Sequence, residues 1–141
     1  MEKNENQLKL AMRLVHLGRS AWQGARDKLS DEVLTNMQYK ICAVVKLRPG
    51  VSQDGVAQEL FMDKSSTAKL VSKLVADGYI RREKNPDDRR EYRLFITESG
   101  DEIIQPLIEG TEEWETKYIG PKDSETYKAF EELVAMIEEK L

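Results

Sequence analysis

The fold is decided by residues 52–100, which read SQDGVAQELFMDKSSTAKLVSKLVADGYIRREKNPDDRREYRLFITESG. Two short helical patterns with a tight gap come first, and two strand patterns joined by a charged turn follow them. A helix pair that feeds a charged hairpin lets a small protein reach a DNA groove and the neighbouring backbone together. The stretch therefore predicts a winged helix-turn-helix.

The first helix of the pair is predicted over roughly residues 53–61, and the second from Asp63 or Ser65 to Asp77. Ser52 is the predicted N-cap of the first helix, because its hydroxyl can accept a hydrogen bond from a free backbone N–H. Gly78 is the predicted left-handed end of the second helix. The buried side of that second helix is predicted to consist of Thr67, Leu70, Val71, Leu74 and Val75.

The opposite face of the second helix carries small, hydroxylated and cationic side chains, with no acid before Asp77. Small residues permit close approach, hydroxyls donate to phosphates or bases, and lysines neutralise phosphate. An ordinary solvated face is the alternative, but such faces commonly mix both signs of charge. The face consists of Lys64, Ser65, Ala68, Lys69, Ser72, Lys73 and Ala76, with Ser66 beside it.

The hairpin is predicted from strands over residues 79–83 and 91–96, with the turn Asn85–Arg90 between them. Ile80, Leu94 and Ile96 are expected to face the core. Thr97 is then expected to cap another helix, because its hydroxyl precedes a new helical pattern.

Helical patterns flank the stretch 52–100 on both sides, over residues 7–26, 36–47, 98–117 and from Gly120–Pro121 to Leu141. The helix over residues 98–117 contains Pro106, which should bend it rather than end it. The first helix is apolar on two faces, so it needs two partners: the protein's own core and, we expect, a second subunit. The predicted fold is thus mainly α (α+β), with a helical dimerisation region built from the N- and C-terminal helices.

Charge is distributed unevenly along a chain whose net charge is −4. Nine cations face five acids between Lys64 and Arg93, whereas thirteen acids face four lysines between Glu98 and Leu141. Such polarity would turn the basic part toward a polyanion and hold the acidic part away from it. Chance segregation on solvated helix faces would give the same counts, so charge alone does not decide.

Over about 50 residues the chain resembles the MarR family of bacterial transcription regulators. The resemblance depends on the helix pair, on Gly78-Tyr79-Ile80, on Arg82, on the turn Asn85–Arg90 and on the stretch Leu94–Gly100. It implies a single MarR-like domain over residues 1–141, with the DNA-binding lobe at 36–97 and dimerisation helices in 1–30 and 98–141. Thr67 departs from the family pattern, because an apolar residue is usual there.

The resemblance also implies a function: a sequence-specific regulator, expected to be a repressor, that binds double-stranded DNA as a homodimer on a pseudo-palindromic operator. The second helix would enter the major groove, and Arg90 would reach the minor groove with its guanidinium held by Asp88. A salt bridge that only stabilises the turn is the alternative role of that pair. The predicted DNA-binding residues are Ser52, Gln53, Lys64, Ser65, Ser66, Lys69, Ser72, Lys73, Asp88, Arg89 and Arg90.

A small aromatic or anionic effector is a further expectation, since proteins of the resembling family have effector pockets. His16, Trp22 and Tyr39 are the candidate lining residues, although aromatic residues in such helices usually belong to the core. Binding there would weaken DNA binding by shifting the lobes.

Catalysis is not expected, because no nucleophile, base and orienting group recur together and His16 is the only histidine. No cofactor and no metal site are predicted. Cys42 is expected to be a buried structural thiol. The polar start and the lack of a long apolar run predict a cytoplasmic protein with no membrane partner.

One rival function remains open at the level of sequence. A winged-helix interaction module could dock its basic face on an acidic protein partner rather than on DNA. A protected palindromic footprint would separate these two functions, whereas salt sensitivity would not.

Overall fold

The computed structural model describes residues 8–141, which fold into six helices and one three-stranded antiparallel sheet. The start of the first predicted helix at residue 7 lies outside the described residues. No helix of residues 8–141 is both long and apolar enough to cross a membrane. The elements are α1 (Leu10–Arg26), α2 (Asn36–Leu47), β1 (Val51–Ser52), α3 (Gln53–Glu59), α4 (Lys64–Ala76), β2 (Ile80–Lys84), β3 (Tyr92–Ile96), α5 (Glu98–Tyr118) and α6 (Glu125–Glu138).

The chain divides into two compact units, and α5 contributes to both. One unit is formed by residues 30–106, and the other by the described residues up to 29 together with 107–141. The division falls after Pro106, inside α5, which continues through the proline as the sequence predicts. The mainly α fold with a small sheet is confirmed.

The sheet has the strand order β1-β3-β2. Strands β2 and β3 form the predicted hairpin, with Ile80 opposite Ile96 and Arg82 opposite Leu94. Strand β1 was not predicted: Val51 and Ser52 pair with Leu94 and Arg93 of β3. Two residues carry too little alternation to mark a strand, so only the pairing reveals it.

The core of the unit formed by residues 30–106 lies between α2, α3, α4, the sheet and the first part of α5. Thr67 is fully buried in it, and its Oγ1 donates to the backbone oxygen of Asp63 over 2.8 Å. That bond satisfies the hydroxyl, so threonine fits where the family usually has an apolar side chain. The largest side chains of this core are Tyr39, Ile41, Val45, Val56, Val71, Leu74, Ile80, Leu94 and Ile104.

The other unit packs α1 against the C-terminal half of α5 at very short range. A Cβ on Gly110 would lie 2.5 Å from the backbone oxygen of Ala25, and a Cβ on Gly24 would lie 2.8 Å from Cδ1 of Trp114. Only glycine permits such an approach of two helices. Ala25 is the buried residue of α1, whereas both predicted apolar stripes of that helix are largely exposed. The expectation that α1 fills its own core therefore holds only near its C-terminal end.

Candidate nucleic-acid interface

Local capping fixes where α3 and α4 begin. Oγ of Ser52 accepts a hydrogen bond from the Gly55 backbone N–H over 2.9 Å, which confirms the predicted N-cap of α3. Oδ1 of Asp63 accepts from the Ser66 backbone N–H over 2.7 Å and caps α4. These hydrogen bonds to the Ser66 backbone and hydroxyl lower the pKa of the Asp63 carboxyl from its usual value. Gly78 ends the region with φ of 84°, the left-handed terminator that the sequence predicts.

The face of α4 opposite the core is open to solvent. Lys64, Ser65, Ser66, Lys69, Ser72, Lys73 and Ala76 are exposed, and Ala68 is half-buried. Because α4 contains no acid, the face presents positive charge and hydroxyl groups over four turns. This is the chemistry expected of a helix that approaches a polyanion.

The lysines of this face differ in how far they are engaged within the protein. Nζ of Lys64 lies 3.5 Å from Oδ2 of Asp54, and Nζ of Lys73 lies 3.3 Å from Oδ2 of Asp77. Both pairs are exposed, so each contributes roughly 0 to 1 kcal/mol and exchanges readily for phosphate. Lys69 has no ion pair among the described residues.

The serines and Gln53 are engaged in local hydrogen bonds of different kinds. The Ser66 hydroxyl donates to Oδ2 of Asp63 over 2.8 Å, which adds to the cap of α4. Oγ of Ser72 and Oε1 of Gln53 both accept from the guanidinium of Arg82. Arg82 is the residue that sequence reasoning left out of the site, because its contacts join positions 10 and 29 residues apart.

The turn between β2 and β3, which we call the wing, is shaped by two side-chain turns. Oδ1 of Asn85 accepts from the Asp87 N–H over 3.0 Å, and Oδ1 of Asp88 accepts from the Arg90 N–H over 2.9 Å. Asp and Asn side chains commonly form such turns. In this structure Asp88 accepts from the Arg90 backbone, and no side-chain ion pair joins the two residues within residues 8–141. The grip of Asp88 on the Arg90 guanidinium therefore stays a prediction for the DNA-bound protein.

Arg89 and Arg90 are exposed at the tip of the wing, and neither side chain has an ion pair within residues 8–141. At the base of the turn, Nη2 of Arg93 donates a hydrogen bond to Oδ1 of Asn85 over 3.3 Å and so stiffens the turn. A narrow minor groove attracts arginine through its strong negative potential. The structure thus combines a rigid turn with two free guanidinium groups.

The three predicted effector residues differ in their exposure to solvent. Tyr39 is fully buried, and its hydroxyl accepts from the backbone N–H of Val33 over 3.1 Å, so its assignment to an open pocket is wrong. A buried hydroxyl that finds a backbone partner is typical of a core tyrosine. His16 is exposed and Trp22 is half-buried, both on α1.

A cavity of about 410 Å³ lies between α1 and α5, and the residues that line it do not include His16, Trp22 or Tyr39. The rings of Trp114 and Tyr118 have centroids 5.1 Å apart, and Nε1 of Trp114 donates to Oγ of Ser20 over 3.4 Å. Asp27 and Lys117 also line it.

Cys42 is fully buried, and burial raises the pKa of its thiol to about 12. It is therefore protonated near neutral pH and a poor nucleophile. No group of three or more His, Cys, Asp and Glu side chains within residues 8–141 has a geometry that could hold a metal ion.

A sequence model of the MarR family matches residues 34–91. The HTH-type transcriptional regulator BilQ of Clostridioides difficile is 31% identical over 82 residues, which cover 58% of this chain and 55% of BilQ. The transcriptional regulator HosA of Escherichia coli is 25% identical over 101 residues, 72% of this chain and 75% of its own length. The match to BilQ thus spans about half of that protein.

Among solved structures, a crystal structure of MarR is similar over 99% of this chain and 95% of its own, with a TM-score of 0.73 and 27% identity. The likeness extends over both compact units, beyond the part of the chain that the family model matches.

Proposed function

Because the chain belongs to the MarR family, we propose that it is a transcription regulator that binds double-stranded DNA through α4 and the wing. The observation that carries this proposal is the acid-free, exposed face of α4 beside two unpaired arginines in a rigid turn. Helix α4 enters the major groove and Arg90 the adjacent minor groove. We further propose that the protein acts as a repressor in the cytoplasm.

The operator is read by two copies of the chain. Large apolar side chains remain exposed on α1 and α6, including Leu10, Leu14, Leu133 and Ile137. Apolar surface of that extent on a small protein indicates a protein partner. A second copy with the same surfaces supplies it, and the resulting two-fold symmetry calls for a pseudo-palindromic operator with half-sites roughly 10 base pairs apart.

A small aromatic effector that releases the protein from DNA would bind in the α1–α5 cavity rather than at His16, Trp22 and Tyr39. The volume of about 410 Å³ falls within the usual range for ligand sites of roughly 300 to 1,000 Å³. The rings of Trp114 and Tyr118 offer stacking surfaces. Titration with salicylate-like phenols should release the operator, and Trp114→Ala should abolish that release; no release by any of them would favour a ligand-independent repressor.

The DNA contacts are tested by a gel-shift titration of three variants over a range of salt concentrations. Lys69→Ala, Lys73→Ala and Arg90→Ala should each weaken binding and reduce the slope of log K against log salt by about one, because each removes a phosphate neighbour. Lys122→Ala, which removes an exposed cation of the loop between α5 and α6, is the matched control and should leave both quantities unchanged. Three variants that bind like the parent would refute the contact assignment.

Docking of the basic face on an acidic protein is the second candidate function. The exposed cations of α4 and the wing serve either partner equally well. A protected, two-fold symmetric footprint on DNA supports the regulator, and a stable protein complex without any footprint supports the interaction module.

A further inference from the structure

The Arg82 side chain on β2 links α3 and α4 at the proposed interface. It lies on β2 opposite Leu94 of β3 and is half-buried. Its Nη2 donates to Oγ of Ser72 over 2.9 Å and to Oε1 of Gln53 over 3.5 Å. The centre of the guanidinium lies 5.9 Å from the centroid of the Tyr92 ring.

These hydrogen bonds constrain what Ser72 and Gln53 can offer to a ligand. A serine hydroxyl donates one hydrogen bond and accepts others, whereas a guanidinium can only donate. Because Arg82 donates to Oγ of Ser72, the O–H of Ser72 can donate to an acceptor outside the protein. The positive charge of the guanidinium strengthens the hydrogen bond to Oγ and so favours this orientation of the hydroxyl. Gln53 turns its amide oxygen to the arginine for the same reason, so its NH₂ group is left to donate.

Resting on the proposed function, we propose that Arg82 is a positioning residue that presents Ser72 and Gln53 to DNA as hydrogen-bond donors and so makes the interface select guanine. In the major groove guanine shows two acceptors, N7 and O6, while adenine and cytosine each show an amino donor. Lys69, beside Ser72 on the exposed face of α4, adds further donors and no acceptor. A face rich in donors can satisfy both acceptors of guanine, and it therefore favours guanine over bases that present an amino donor.

Arginine suits this position better than lysine does. Its rigid planar guanidinium holds Nη2 toward both acceptors, whereas an ammonium is a point donor on a flexible stem. Nε of Arg82 is buried with no hydrogen-bond partner in the structure. A buried donor without a partner is unfavourable, so Nε does not explain why the Arg82 side chain lies at this position. The contacts made by Nη2 account for the placement.

The experiment is random-sequence DNA selection and affinity measurement with six proteins: the parent, Arg82→Lys, Ser72→Ala, their double variant, Arg81→Lys and, for the salt slope, Arg82→Gln. Arg81 is the matched control, because it points to the other side of β2, pairs with Glu83 and lies 4.5 Å from the Phe95 ring centroid. The parent should recover a half-site with a fixed guanine. Arg82→Lys and Ser72→Ala should each reduce preference for that guanine about fivefold to tenfold, and the double variant should lose no more than either.

Each outcome decides the inference. Unchanged guanine preference in Arg82→Lys and Ser72→Ala would overturn it while the proposed function stands. A salt slope lowered by about one in Arg82→Gln, which removes the charge, would also overturn it, because Arg82 would then be a phosphate ligand. A parent that recovers no motif would overturn the proposed function and the inference together. If Arg82→Lys does not fold, Ser72→Ala and Gln53→Glu carry the test, since a carboxylate at position 53 would replace a donor by an acceptor.

Discussion

Phe61 adopts a backbone conformation that its side chain disfavours. In the turn between α3 and α4 its φ is 52°, in the left-handed region, and the residue is 86% exposed. A left-handed conformation costs a non-glycine residue roughly 1 to 2 kcal/mol because Cβ crowds the following carbonyl. The exposed ring recovers little of this by burial, so the turn carries strain.

Phe61→Gly should therefore stabilise the protein. Relief of the crowding outweighs the extra flexibility of glycine in the unfolded chain, roughly 0.4 to 1 kcal/mol, and leaves a net gain of about 0.5 to 1 kcal/mol. Urea unfolding followed by circular dichroism measures it. Phe61→Ala is the control, because alanine keeps the Cβ and should stay near the parent. A glycine variant less stable than the parent would show that the aromatic ring makes a stabilising contact.

The Asp63 cap of α4 should make the free energy of unfolding depend on pH. Because hydrogen bonds in the folded protein lower the pKa of this carboxyl, its contribution to stability is complete above the unfolded pKa. It is lost as pH falls through the folded pKa. Asp63→Asn keeps an acceptor but does not titrate, so it should be less stable than the parent near neutral pH and approach the parent in acid, as pH falls through the folded pKa of Asp63. Equal differences at both pH values, by urea unfolding, would contradict this.

Residues that act within one turn of their own position were predictable from sequence, and residues that act at long range were not. The caps at Ser52 and Asp63 and the terminator at Gly78 follow from local chemistry. Arg82 contacts Ser72 and Gln53 only after the sheet and both helices have formed. The hydrogen bond from the Arg90 backbone N–H to Asp88 was not predicted, because sequence spacing gives the pair of residues but not the atoms that meet.

At the scale of elements, the helices were predicted closely and the weakest strand was missed. Periodic apolar positions locate α2, α4 and α5 to within one or two residues, since each buries one face. Strand β1 has only two residues and exists through its pairing with β3. The packing of α1 on α5 depends on two glycines whose role emerges only when the helices meet.

Gly110→Ala should disrupt that packing. The new Cβ would fall 2.5 Å from the oxygen and 2.7 Å from the Cα of Ala25, and backbone cannot move aside as a flexible side chain would. We expect a loss of roughly 1 to 3 kcal/mol in the free energy of unfolding, measured by urea titration.

The same substitution at Gly18 of α1 is the control for Gly110→Ala. A Cβ there meets nothing within 4 Å, so Gly18→Ala should stabilise the helix by up to about 1 kcal/mol. A Gly110→Ala variant as stable as Gly18→Ala would contradict the close packing of α1 on α5.

For the whole molecule, assembly should depend on the exposed apolar faces of α1 and α6. Leu133→Glu places a charge on the apolar side of α6, where Leu133 is 54% exposed in the single chain. If a second copy covers this side, the variant should raise the dimer dissociation constant at least about 30-fold, as measured by sedimentation equilibrium. Lys128→Glu, on the polar side of the same helix, should leave it nearly unchanged; equal effects of the two variants would contradict the interface.

The central claim is that cations of α4 and the wing, from two copies of one chain, meet neighbouring grooves of a single duplex. Hydroxyl-radical footprinting on DNA recovered by random-sequence selection tests it most directly. The account predicts two protected half-sites related by a two-fold axis, with centres roughly 10 base pairs apart and a flanking protected minor groove that Arg90→Ala removes. Selection that recovers no sequence, or uniform protection without symmetry, would contradict it.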